Sequence, residues 1–170
     1  MSNIDILYDD VILQILNYLS DKEKIIFCSM NKKFREILYI TKFCDIYYHD
    51  KIKDLPYYSS FKNIIYKAKN INIPERITHL IFTHFFNESI KGCIPNSVTL
   101  FPEGQVREKV LPSRLTHLKF GSFFNQPIEG CIPNSVTHLK FGHGFNQSIK
   151  RSIPNGIIHL TFGDKFNRSI

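Results

Sequence analysis

Ile132-Pro133-Asn134-Ser135-Val136-Thr137-His138-Leu139-Lys140-Phe141-Gly142 returns 21 residues later as Ile153-Pro154-Asn155-Gly156-Ile157-Ile158-His159-Leu160-Thr161-Phe162-Gly163. The same stretch occurs upstream from Leu111-Pro112 to Gly121 and, first of all, from Ile73-Pro74 to Phe82. The prolines stand at 74, 95, 112, 133 and 154, in steps of 21, 17, 21 and 21 residues. Four of the units also carry a Phe-Asn pair, at Phe86-Asn87, Phe124-Asn125, Phe145-Asn146 and Phe166-Asn167. Self-similarity at a short fixed period is the signature of a repeat architecture.

Within a unit, Thr137, Leu139 and Phe141 alternate with His138 and Lys140. That period of two predicts a short strand with one apolar face. Gly142 ends the strand, and Phe145 and Ile149 supply a second apolar pair. One such unit cannot bury these side chains alone. Stacked coils would align the strands as a parallel ladder over a continuous core of Phe82, Phe120, Phe141 and Phe162. Proline suits the outer turn, where its fixed φ and missing N–H cost no ladder bond. Asn87, Asn125, Asn146 and Asn167 recur once per coil. As buried amides that both donate and accept, they are expected to form a polar spine inside the solenoid and satisfy the loop backbone.

These residues resemble the FNIP repeat, a relative of leucine-rich repeats, whose pattern runs Ile-Pro-x-Ser-Val-Thr-His-Leu-x-Phe-Gly-x-x-Phe-Asn-x-x-Ile. The resemblance covers residues 73–170, with units at 73–93, 94–110, 111–131, 132–152 and 153–170. It implies a leucine-rich-repeat-like coil used for protein binding. Its relatives recognise targets through exposed sheet positions, which map here to His79, His117, Lys119, His138, Lys140 and His159. The unit at 94–110 departs from the pattern: Val98-Thr99-Leu100-Phe101 lacks the His and one spacer. Adjacent Leu100 and Phe101 cannot both face the core of an unbulged strand, so an irregular coil is expected there.

Upstream of the repeats the period becomes helical. Val11, Ile12, Ile15, Leu16 and Leu19 give the stripe of an amphipathic helix. Ser20-Asp21-Lys22-Glu23 has capping-box spacing and predicts a second helix through Met30. Asn31 is placed to cap a third, with Phe34, Ile37 and Leu38 on its apolar face. A fourth helical stretch is expected from Lys42 to Asp50, carrying Phe43, Ile46 and Tyr47. Helices this short bury little core by themselves and have to dock on something.

The run from Leu7 to Glu23, with Lys32-Lys33-Phe34-Arg35 after it, resembles the start of an F-box over roughly residues 4–45. In that family a Leu-Pro dipeptide precedes an acidic pair and an apolar helix ending in Tyr-Leu; here Tyr8 stands in place of the Pro. The resemblance implies contact with a Skp-type adaptor of a cullin-RING ubiquitin ligase through Leu7, Tyr8, Ile12, Ile15, Leu19 and Phe34. The expected fold is therefore α+β and modular. A helical F-box-like module occupies 1–51, a linker and solenoid cap 52–72, and a β solenoid with a parallel strand ladder 73–170.

Composition bounds the function. The 170 residues are 43% hydrophobic and 22% charged, ordinary values for a globular chain. No apolar run approaches the roughly 18 residues of a membrane span, and Met1-Ser2-Asn3-Ile4-Asp5 has no signal-peptide character. The expected address is intracellular and cytoplasmic, in the host cytoplasm if the chain is viral, since the families it resembles are common in amoebal protists and their large DNA viruses. Four scattered cysteines without a CxxC pair point to neither a disulfide scaffold nor a zinc site. Cys93 and Cys131 hold equivalent places; if the short unit forms one coil they sit two rungs apart, about 10 Å and too far for a disulfide.

Net charge is +7, with +2 over residues 1–72 (11 basic, 9 acidic) and +5 over 73–170 (11 basic, 6 acidic). The repeat region's field favours an acidic protein target, while its singly spread basic residues disfavour nucleic acid. The recurring histidines read better as a solvated or partner-facing ladder than as a metal site. No phosphate loop, nucleophile signature or paired-carboxylate motif occurs. The expectation is a non-enzymatic adaptor without cofactor or metal, a substrate receptor of a ubiquitin ligase, with a stand-alone binding solenoid as the alternative. The last unit reaches Ile170 without a polar cap, and its coil is expected to fray or to be covered by another molecule.

Overall fold

The computed structural model describes residues 3–30, 32–91 and 111–169, with the backbone alone for residues 3–8. The chain forms two compact units, Met1–Asn63 and Ile64–Ile170.

The first unit opens with α1 (Asn3–Asn17), α2 (Asp21–Ser29) and α3 (Lys32–Ile37). On α1 the expected apolar stripe divides. Ile12 and Leu16, one turn apart, are buried, whereas Val11 and Ile15 are 49% and 44% exposed. The capping box starts α2: the Ser20 backbone N–H donates to Glu23 Oε2 at 2.8 Å, and the Glu23 N–H donates to Ser20 Oγ at 3.4 Å. The Ser20 hydroxyl and backbone N–H together hold the Glu23 carboxyl below its ordinary range. Phe27 of α2 stacks on Phe34 of α3 at 5.1 Å. Asn31 lies outside the described residues.

The helix expected from Lys42 to Asp50 is instead a strand, β1 (Phe43–Tyr48), followed by the short α4 (His49–Ile52). The spacing of Phe43, Ile46 and Tyr47 matched a helix by coincidence. A Phe-Cys-Asp-Ile-Tyr-Tyr segment is aromatic and β-branched, which favours an extended backbone. A long-range clamp holds it there. Buried Asp21 accepts the Asp45 N–H at 2.8 Å, the Tyr47 hydroxyl at 3.3 Å and Lys24 Nζ at 3.0 Å. Burial and the Asp21 carboxylate push the Tyr47 phenol up. Phe43 and Phe61, both buried, stack at 4.8 Å.

Five strands follow: β2 (Phe61–Ala68), β3 (His79–Phe82), β4 (His117–Lys119), β5 (His138–Lys140) and β6 (His159–Thr161). Among the described residues, β2 to β6 follow one another in sheet order. In the second unit, β2 to β6 pair in parallel, with Ile65 opposite His79, His79 opposite His117, His117 opposite His138, and His138 opposite His159. β2 joins this ladder although it precedes residue 73 and carries no repeat motif.

Leu80, Leu118, Leu139, Phe82, Phe120 and Phe141 are buried behind the sheet. The phenylalanines form two columns. One runs Phe82, Phe120, Phe141, Phe162 at 5.4–5.5 Å per step. The other runs Phe86, Phe124, Phe145, Phe166 at 5.9–6.1 Å. The columns meet within each coil at 3.9–4.1 Å. β6 has a sheet neighbour on one side, and there Leu160 is 37% exposed and Phe162 half-buried.

The two-rung separation expected of Cys93 and Cys131 rests on a coil formed by the short unit, whereas β3 pairs directly with β4. Residues 94–110 and Cys93 themselves lie outside the described residues. The ladder passes from His79 to His117.

The asparagine spine is also not internal. Asn87, Asn125 and Asn167 are exposed and Asn146 is half-buried. Each side-chain oxygen accepts the backbone N–H of the next Asn, Asn125 on Asn87, Asn146 on Asn125 and Asn167 on Asn146, at 2.9–3.0 Å. The amides couple successive coils at the surface instead of satisfying a buried loop.

Candidate functional site: a histidine and lysine face

The parallel register sorts the exposed side chains of the sheet into two rows. One reads Ile65, His79, His117, His138, His159; two residues on, the other reads Lys67, Ile81, Lys119, Lys140, Thr161. Leu80, Leu118 and Leu139 between them point the other way and are buried, as alternation along a strand requires. The imidazoles stack nearly parallel, with centroids 4.1, 4.1 and 4.4 Å apart. His79, His117 and His138 are half-buried, while His159, Lys119 and Lys140 are exposed. All residues of the two rows except Lys67 line one shallow groove of about 320 Å³, whose lining includes no Asp or Glu.

The repeated Thr-His dipeptide orients the rings. Thr78, Thr116 and Thr137 each place Oγ1 2.9 Å from the Nδ1 of the following histidine. The same hydroxyls reach a carbonyl one rung back, on Ile64, Thr78 and Thr116, at 3.1–3.3 Å. The single hydroxyl proton goes to one of these two neighbours. In either arrangement Nδ1 is engaged within the chain, and Nε2 is the nitrogen left for a ligand. His159 follows Ile158 and has no such hydroxyl. Burial lowers the His117 pKa to about 4, with His79, His138 and His159 adding to it, and lowers that of His79 with a contribution from His138.

This face is suited to binding: it presents ammonium groups and imidazole nitrogens with no carboxylate in the groove they line. Among the described residues no group of three or more His, Cys, Asp or Glu is placed to hold a metal ion. Near-parallel rings aim their nitrogens side by side and do not converge on one point. No helix among the described residues is long and apolar enough to cross a membrane.

The residues assigned to an adaptor differ in exposure. Ile12 is buried, Leu19 and Phe34 are half-buried, and Ile15 is exposed. For Leu7 and Tyr8 the description stops at the α1 backbone. Three features escaped sequence reasoning. The ring-holding threonines had a signal in the recurring Thr-His pair. Ile65 and Lys67 had none, since β2 lacks the repeat motif. The stacked pair Phe85 and Phe123, 5.5 Å apart and 80% and 54% exposed, precedes the core phenylalanines by one residue and was hidden by them.

No curated protein matches the chain. Among solved structures, the chain is similar to the crystal structure of CroV588, described as a novel circular LRR protein. The identity is 36% and the TM-score 0.44, over 76% of this chain and 20% of that one. The chain thus spans about a fifth of that protein's length. The FNIP Repeat family matches residues 107–144 and 145–170, so the C-terminal part of this parallel ladder is built of two FNIP repeats.

Proposed function

We propose that the chain is a protein-interaction adaptor whose repeats hold a target protein on the histidine and lysine face. The observation that carries this reading is the groove itself, where His79, His117, Lys119, His138 and Lys140 line up over successive coils without a carboxylate among them. A basic, carboxylate-free surface of this kind complements an acidic protein segment.

The finer reading couples the chain to a Skp-type adaptor of a cullin-RING ubiquitin ligase, making it a substrate receptor. It is supported by the F-box-like segment and by Val11, Ile15 and Tyr18, exposed apolar residues at i, i+4 and i+7 spacing. A stripe of that spacing suits a partner helix. The second reading, a stand-alone binding solenoid, has the groove in its favour and needs no helical contact. Titration of purified Skp-type adaptor separates them. Binding by wild type at tens of micromolar or tighter, lost in Ile15→Asp because a carboxylate at an apolar interface is costly, supports ligase coupling. Absence of wild-type binding leaves the solenoid reading alone. Lys119→Glu with Lys140→Glu should leave adaptor binding intact and abolish binding of an acidic target.

A further inference from the structure

The histidines add something to the groove that the lysines cannot supply, because lysine charge does not change near neutral pH. Resting on the reading of this face as the target-binding surface, we propose that the histidine ladder is a proton-coupled carboxylate site. An acidic segment of a partner protein docks along the two rows, and its carboxylates draw protons from solution onto the outward Nε2 atoms.

The geometry supports this in three ways. First, Nδ1 of His79, His117 and His138 is held by the preceding threonine hydroxyl. When a second proton arrives, the ring can donate from Nδ1 to that hydroxyl oxygen while Nε2–H faces the ligand. Second, adjacent rings lie 4.1–4.4 Å apart, so two neighbouring imidazolium charges repel unless an anion lies between them and the solvent. Third, the charged side chains that line the groove beside the histidines, Lys119 of β4 and Lys140 of β5, have the same sign, while β3 contributes Ile81 and β6 Thr161. Lys67 of β2 continues this row by register, and Asp164 shares the adjoining cavity with the three lysines.

A carboxylate laid across these rows reverses the balance, since an opposite charge within a few ångströms favours the protonated ring. The depressed pKa of His79 and His117 in the free chain agrees with this. The bound state then holds more protons than the free state, and affinity rises as pH falls from neutrality.

The test is calorimetric titration of the full chain with a deca-aspartate peptide at pH 7.5, 6.5 and 5.5, each in two buffers of different ionisation enthalpy. The aspartates stay ionised over this range. The expected result is net proton uptake and a Kd about tenfold or more lower at pH 5.5 than at pH 7.5, because each proton taken up changes affinity tenfold per pH unit. His117→Gln with His138→Gln should remove the uptake and flatten the pH dependence. A wild-type Kd independent of pH, without uptake, overturns the proton coupling and leaves the docking reading standing. Uptake undiminished in the double variant overturns its assignment to the ladder. Absence of peptide binding at every pH overturns the docking reading as well. Tighter binding of a ten-nucleotide oligothymidylate than of the peptide overturns both and assigns the face to nucleic acid.

Discussion

Gly142 lies against Gly121 of the preceding coil so closely that a Cβ on Gly142 would sit 2.2 Å from the Gly121 carbonyl oxygen. Gly121 stands in the same relation to the Thr83 carbonyl and Gly163 to that of Gly142. The glycine that follows β4, β5 and β6 is therefore a spacing requirement: it lets one coil's turn rest on the turn below. The obstructing atom is backbone and cannot swing aside. Gly142→Ala is expected to push the coils apart and cost about 2–3 kcal/mol, the range of overpacked sites. Urea unfolding measures it, and a wild-type midpoint would show that the coils can separate freely.

Phe141 should matter more than its equivalent Phe162. It is buried between Phe120 and Phe162 at 5.4 Å each, with Phe145 at 4.0 Å, whereas Phe162 is half-buried. Truncation of a buried phenylalanine costs about 3–5 kcal/mol. Phe141→Ala should fall in that range and Phe162→Ala clearly below it. Equal losses in thermal or denaturant unfolding would contradict the ordering.

Arg151 occupies a left-handed conformation, φ 58°, at the position where the preceding unit has Gly130 at φ 64°. A side chain there costs about 1–2 kcal/mol of backbone strain. Arg151→Gly is therefore expected to stabilise the chain by about 1 kcal/mol, reduced by the greater freedom of glycine when unfolded. A lower melting temperature for the variant would refute the strain argument.

The Asn125 side chain accepts the Asn146 N–H at 2.9 Å and Gln147 Nε2 at 3.1 Å, both at exposed positions. Because water can replace these bonds, Asn125→Ala is expected to cost only about 1 kcal/mol. The local signature is faster amide exchange at Asn146. Protection unchanged at that amide would mean that its hydrogen bond contributes nothing.

The stability of the free chain should fall in mild acid. His117 has its pKa lowered by burial to about 4, and His79 is lowered in the same direction, against about 6.5 in an unfolded chain. Below about pH 6.5 the unfolded state binds protons that folded His117 and His79 refuse, so their contribution to stability is full above that pH and is lost as pH falls toward 4. His117→Gln should make the melting temperature less sensitive to pH between 6.5 and 4.5. An unchanged slope would place the acid sensitivity elsewhere.

Some of the chain's local features were readable from pattern because their causes are local or periodic. Ser20 and Glu23 meet within one helical turn, and the α2 capping box needs nothing else. Leu139 and Phe141 alternate with His138 and Lys140 in every complete unit, so the buried and open faces of the strands followed from spacing. Phe43, Ile46 and Tyr47 misled because a helical spacing of three residues is weak information. Their extended backbone is held by Asp21, 24 residues from Asp45.

The 21-residue period, the stacking of parallel strands and the two phenylalanine columns were determined by the amino-acid sequence alone, since repetition forces each unit to solve the same burial problem in the same way. The tertiary structure decided which segments became rungs. It recruited β2 without a repeat motif and paired His79 with His117 across 38 residues. It brought the asparagines to the surface and aimed the imidazoles of His79, His117 and His138 by threonine hydroxyls. These outcomes depend on contacts between coils, where a carbonyl, a hydroxyl or a missing Cβ acts on a residue far away in the chain. A pattern read along one strand does not contain them.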